Sequence, residues 1–132
     1  MEAHMKRYEY LSYEDAFCLT ALLRAIKASG KVSSIKYVDP YGEYAPVTFT
    51  VDQADEFMEY ADGALEEFKI RIYDQDCEDD GEYDDAEHCL GAFYIVLDGD
   101  YTTICDYSAN DVCEAIAKAA YIEIDAEELR TR

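Results

Sequence analysis

Asp76, Glu78, Asp80, Asp84 and Glu87 stand at the spacing of carboxylate ligands in a calcium-binding loop, with Gly81 at its sixth position. A hard divalent cation needs several carboxylate oxygens converging on one point, and a mid-loop glycine permits the sharp bend. Three features weigh against that chemistry. Glu78 at the third position is longer than the usual Asp or Asn. Tyr83 takes the eighth position, where an aliphatic residue belongs. The flanks, 68–73 and 90–97, read as strands, whereas the pattern calls for helices. Nine of the fifteen residues from Asp74 to His88 are Asp or Glu, and so acidic a stretch matches acid-rich templates by chance. A solvated charged loop is the better reading, with calcium binding by 76–87 kept as an alternative. No metal or cofactor is assigned.

Catalytic signatures are missing. The chain has no GxSxG, HExxH, GxxxxGK[ST] or GxGxxG. Its histidines are His4 and His88. His88 next to Glu87 can be held protonated, which is commonplace for a surface histidine among acids. Cys89 beside His88 is no nucleophile pair, because neighbours along a strand point to opposite faces. No carboxylate pair stands out for acid–base work, so no enzyme is expected.

The carboxylates suggest a different use. Asp52, Asp55, Glu56, Glu59 and Asp62 recur at three- and four-residue spacing, opposite the apolar positions Ala54, Phe57, Met58 and Ala61. On a helix this lines them along one face, about 5.4 Å apart per turn. Joined by Asp74, Asp76, Glu78, Asp79, Asp80, Glu82, Asp84, Asp85 and Glu87, the row can imitate a phosphate track. For any single residue, a solvated helix face is the better explanation of the acid; the case for mimicry lies in the sum.

The whole chain frames that reading. It carries 31 acidic and 11 basic residues, net −20, so the folded state must offset strong self-repulsion. Between Tyr37 and Ala117 the only Lys or Arg residues are Lys69 and Arg71. Such a surface repels nucleic acid and anionic membranes and attracts basic proteins. Half the residues are apolar, too many for a disordered acidic tail, and thirteen are tyrosines, which suit sheets and interfaces. The five cysteines are odd in number and lack a CxxC, which points to buried free thiols in a reducing cytoplasm. Cys18 and Cys113 fall at helical positions, and Cys89 and Cys105 at strand positions. No apolar run reaches a membrane-spanning length. Residues 1–4 read as an expression-vector remnant, leaving one domain over 5–132.

The elements follow from periodicity and punctuation. Ser12 caps a helix over 13–29, whose apolar face is Leu19, Leu22, Leu23 and Ile26 and whose stop is Gly30. Strands are expected over 32–38 and 44–49, around the turn Asp39–Gly42, with Pro46 placing the second at a sheet edge or giving it an irregularity. Thr50 with Gln53 forms a capping box for a helix over 51–62. Phe68, Ile70 and Ile72 alternate in a half-buried strand, 68–73. Strands 90–97 and 101–106 flank a hairpin turn at Asp98–Gly99. Ser108 with Asp111 caps a helix over 109–120, and the tail reads as a short strand and a helical turn capped by Asp125. The order implies an α+β fold, a mainly antiparallel sheet of about five strands with three helices packed on it. Segments 37–61 and 94–120 share a strand–turn–strand–helix order compatible with a ββα duplication.

The function expected from this is an acidic, DNA-mimicking inhibitor that blocks the basic groove of a nucleic-acid-handling protein. In size, acidity and lack of catalytic motifs the chain is similar to the small phage and mobile-element inhibitors of restriction or CRISPR systems. The resemblance is compositional and rests on no specific motif, so no family is assigned. The implied partner is a CRISPR effector, a restriction enzyme or a nuclease, met in the cytoplasm, with neither nucleic acid nor membrane bound directly. An immunity protein neutralising a basic nuclease toxin has the same electrostatics and is the alternative.

Overall fold

The computed structural model describes residues 8–75, 88–97 and 103–130. Five strands, β1 (Ser34–Val38), β2 (Val47–Thr50), β3 (Glu67–Tyr73), β4 (Cys89–Val96) and β5 (Ile104–Tyr107), form one antiparallel sheet in the order β2-β1-β3-β4-β5. Three helices join them: α1 (Tyr13–Ala28), α2 (Ala54–Ala61) and α3 (Asp111–Arg130). The α+β class is therefore as the periodicity implies. The β1–β2 hairpin with α2 and the β4–β5 hairpin with α3 sit at opposite ends of the sheet, with β3 between them.

Alternation along the strands sends one set of side chains to the helices. Ile35 faces Phe49 on one side and Ile72 on the other, Ile70 faces Phe93, and Phe68 faces Ile95. These residues share one buried cluster with Leu19 and Leu22 of α1, Phe57 and Met58 of α2, and Ile116 and Ala117 of α3. Each large side chain removed from water there contributes about 1.5–3 kcal/mol, which is what offsets the self-repulsion of the charge. Among the described residues the opposite sheet face bears no helix. It carries Lys36, Lys69, Arg71 and Tyr94, with Lys36 only 2% exposed and its Nζ 5.3 Å from the centre of the Tyr73 ring.

Helix α1 begins and ends as its sequence dictates. The Ser12 hydroxyl accepts from Asp15 N at 3.0 Å, Glu14 and Asp15 favour the dipole's positive end, and Gly30 follows with φ 70°. Strand β1 starts at Ser34 rather than residue 32. Strand β2 is the edge strand that Pro46 implies, but it starts only at Val47. The residues before it are a loop tied to the Asp39 carboxylate, which accepts from the backbone N–H of Tyr41, Glu43 and Tyr44.

Helix α2 is shorter than the expected 51–62. Only half of the capping box forms: Gln53 Oε1 accepts from Thr50 N, while Gln53 N donates to Thr50 O, making a turn of Val51 and Asp52. Helix α3 is longer than expected, absorbing the tail that reads as a strand and a separate turn. The alternation Tyr121, Ile122, Glu123, Ile124 mimics a strand. The decisive pattern is Ala117, Ala120 and Ile124, all buried at helical spacing, with Ile124 packed on Cys18 and Ala21 of α1. The α3 cap is Asn110, whose Oδ1 accepts from Cys113 N. Ser108 instead bonds to the backbone of Ala92 in β4. The thiols of Cys18 and Cys113 are buried and Cys89 is half-buried, but Cys105 is exposed, at the irregularity between β4 and β5. The hairpin turn at Asp98–Gly99 lies outside the described residues.

Candidate interaction surface

The five acids of segment 52–62 do not form the uninterrupted helical row that their spacing implies. Asp52 lies before the helix, in the turn, and its carboxylate is 2.9 Å from Lys27 Nζ. Asp62 lies past the last helical residue in an extended conformation. Its Oδ1 accepts from Tyr10 N and Leu11 N at 2.8 and 3.0 Å, and its Oδ2 from Glu9 N at 3.0 Å. Asp62 is therefore a structural clamp on the chain before α1. Asp55, Glu56 and Glu59 remain as exposed carboxylates on the helix itself.

Asp74 follows β3 and is exposed, with its Oδ1 3.0 Å from His88 Nδ1; its N–H donates to His88 O. This pair closes the base of the acidic segment, and the partner of His88 is Asp74. Asp76, Glu78, Asp79, Asp80, Glu82, Asp84, Asp85 and Glu87, and with them the calcium-loop pattern, lie outside the described residues. The sheet register nonetheless relates the two acidic regions. Thr50 pairs with Ser34, which pairs with Tyr73, so Asp52 and Asp74 leave the sheet at the same end. Two strand spacings, roughly 10 Å, separate those rungs. From that end α2 runs along the β1–β2 side of the sheet towards Asp62.

Two arrangements escape the sequence reading. On the helix-free face, Glu67 accepts from Tyr41 Oη at 2.8 Å and Tyr94 Oη at 2.9 Å. Those hydrogen bonds to a carboxylate hold the proton on each tyrosine: Tyr41 is raised, and Tyr94 is pushed up to about 12. The second is a cavity of about 250 Å³ between the 39–45 loop and α2, lined by Tyr37, Asp39, Tyr44, Tyr60 and the 63–65 backbone. Tyr37 at its wall is pushed up to about 12, chiefly by burial and against the opposing Leu65 N–H that its hydroxyl accepts at 3.1 Å. Tyrosines in such surroundings donate hydrogen bonds at neutral pH and do not act as bases. The only sequence signal for either arrangement is the number of tyrosines near turns and acids.

Burial also raises the Cys113 thiol, so at neutral pH it is a packing group without thiolate reactivity. Among the described residues no three His, Cys, Asp or Glu side chains are grouped to hold a metal ion, and no helix is long and apolar enough to cross a membrane. No protein-family model, curated protein or solved structure matches the chain.

Proposed function

We propose that the protein is an acidic inhibitor that occupies the basic nucleic-acid groove of a CRISPR effector, restriction enzyme or nuclease in the cytoplasm. The observation that carries the reading is the exposed trio Asp55, Glu56 and Glu59 on α2, which starts at the sheet end where Asp74 leaves β3. Asp55 and Glu56 are rewarded by the helix dipole. Glu59 is not, and at three and four residues from the other two it adds like-charge repulsion of about 0.2–0.5 kcal/mol per pair. Carboxylates so placed substitute for phosphates on Arg and Lys side chains, giving fast, salt-sensitive association.

The test is competition. The protein is titrated into complexes of duplex DNA with purified basic targets of these three kinds, at low and at physiological salt. Displacement of DNA that weakens with salt, and weakens again in the triple variant Asp55→Asn, Glu56→Gln, Glu59→Gln, supports the proposal. Unaltered DNA binding by every target at low salt overturns it.

A further inference from the structure

The cavity beside α2 has the composition of a seat for one organic cation. Two tyrosines, Tyr44 and Tyr60, are among its lining residues. Tyr60 packs against Tyr37 with ring centres 4.9 Å apart, yet keeps about a third of its surface exposed. Tyr44, on the facing loop, is 61% exposed and packs on no other ring among the described residues. Its backbone is nevertheless fixed, because Tyr44 N donates to Asp39 Oδ2 at 3.1 Å. The loop thus fixes the backbone that carries an exposed aromatic ring beside the cavity. Asp39, 6% exposed, is also among the lining residues.

That carboxylate has capacity to spare. Ionised, it offers about four acceptor sites. Glu43 N and Tyr44 N occupy Oδ2, and Tyr41 N occupies one site on Oδ1, leaving about one open. Among the described residues no Lys, Arg or His lines the cavity. Two ring faces, each with a negative quadrupole, and a fixed carboxylate attract a cation. Size narrows the choice: about 250 Å³ falls below the roughly 300–1,000 Å³ of pockets that take whole small molecules. It accommodates the end of a side chain. A guanidinium is planar, weakly hydrated, stacks on aromatic faces and brings a fork of donors for a carboxylate, whereas an ammonium holds its water more tightly.

We propose that the Tyr44–Tyr60–Asp39 cavity receives an arginine side chain of the basic partner. This deepens the inhibitor reading and rests on it for the identity of the partner, since arginine is the residue that nucleic-acid grooves use to grip phosphates. Glu56, one helical turn before Tyr60, places the cavity beside the exposed acids of α2. The arginine enters between the rings and meets Asp39 Oδ1 at the base, while the α2 carboxylates take neighbouring cations.

The experiment compares two probes of equal charge, nona-arginine and nona-lysine peptides, binding the whole protein by titration calorimetry at matched salt. The expected result is a preference for the arginine peptide of about fivefold. Tyr44→Ala abolishes it, while Tyr44→Phe and the α2 triple variant keep it. Because Tyr44 packs on no ring, its variants leave the fold intact, which amide NMR spectra verify. Equal binding of both peptides, or an arginine preference that survives Tyr44→Ala, overturns the assignment. The two proposals fail separately. DNA competition that persists unchanged in Tyr44→Ala sinks the arginine seat and leaves the inhibitor standing. A Tyr44-dependent arginine preference without any DNA competition does the reverse.

Discussion

The carboxylate of Asp62 holds the backbone of Leu11 across fifty-one residues of chain, with Leu11 N donating to Asp62 Oδ1 at 3.0 Å. Tyr10 N and Glu9 N complete the clamp, and Ser12 then opens α1. An acid that looks like the last member of a surface row is thus one of the joints that fixes where α1 starts. Hydrogen bonds to a charged group contribute about 1.5–3 kcal/mol, so Asp62→Ala is expected to lower stability by about 2 kcal/mol. Asp55→Ala, on the same helix, is expected to change it by no more than about 0.5 kcal/mol. Urea unfolding of the two variants side by side measures the contrast. Equal effects would mean that the clamp is not a joint.

The tail of the chain is a packing element. Ile124 is buried against Cys18 and Ala21 on the side of α1 turned away from the main core. Removing a buried isoleucine to Ala costs about 2–5 kcal/mol, so Ile124→Ala is expected to be destabilising within that range. Ile122→Ala, which changes a side chain 64% exposed, is expected to be nearly neutral. Thermal unfolding distinguishes this from a frayed tail, in which both substitutions are silent. The comparison also tests the continuity of α3, since a strand over 121–124 would place Tyr121 and Glu123 on one face and Ile122 and Ile124 on the other.

That tail illustrates which features were legible in the residues alone. Where apolar periodicity is long and clean, as in α1 and in Phe68–Ile70–Ile72, the element and its buried face follow from spacing, while the order of the strands does not. The edge position of β2 follows in the same way from Pro46. Where short periods overlap, the partner decides. Tyr121–Ile124 alternates like a strand, and only the small surfaces of Cys18 and Ala21 on α1 select the helical face. Polar roles are less legible still. Asp39, Asp62 and Glu67 are indistinguishable in sequence from the solvated acids around them. Their hydrogen bonds depend on chain segments brought close only by folding: five residues away for Asp39 to Tyr44, but more than fifty for Asp62 to Leu11. The candidate surface was accordingly only half legible, with Asp55, Glu56 and Glu59 as expected, and Asp52 and Asp62 committed elsewhere.

Tyr37 makes the fold sensitive to strong alkali. Burial raises its hydroxyl from 10.0 to about 12 in the native state. Above pH 10 the unfolded chain releases this proton while the folded chain still holds it, so the unfolded state is favoured progressively. Its contribution to stability is whole below about pH 10 and is lost as the pH rises towards 12. Tyr37→Phe removes this titration and also the acceptor of Leu65 N. It is therefore expected to be less stable than the parent at neutral pH and to lose less stability between pH 10 and 12. Denaturation curves at stepped pH supply the test, and parallel losses in the two proteins would refute the attribution.

Helix α3 packs tightly on Gly91 of β4, where φ is 145° and a Cβ would lie 2.5 Å from Cys113 Sγ. Two costs attend Gly91→Ala. The backbone conformation is one that a side chain rarely adopts, which costs about 1–3 kcal/mol, and overpacking against the thiol adds about 1–3 kcal/mol. The second cost depends on sulfur and the first does not. In a Cys113→Ala background the 2.5 Å clash with sulfur is gone, and the added methyl meets only the milder crowding of Asn110 and Ser108 at 3.1 Å. Gly91→Ala is therefore expected to be less costly in that background by about 1 kcal/mol, within the usual range of coupling for residues in contact. Urea unfolding of the four proteins of this double-mutant cycle gives the coupling directly. Additive costs, agreeing to within about 0.5 kcal/mol, would show that α3 yields at its first turn and that backbone strain alone explains the glycine.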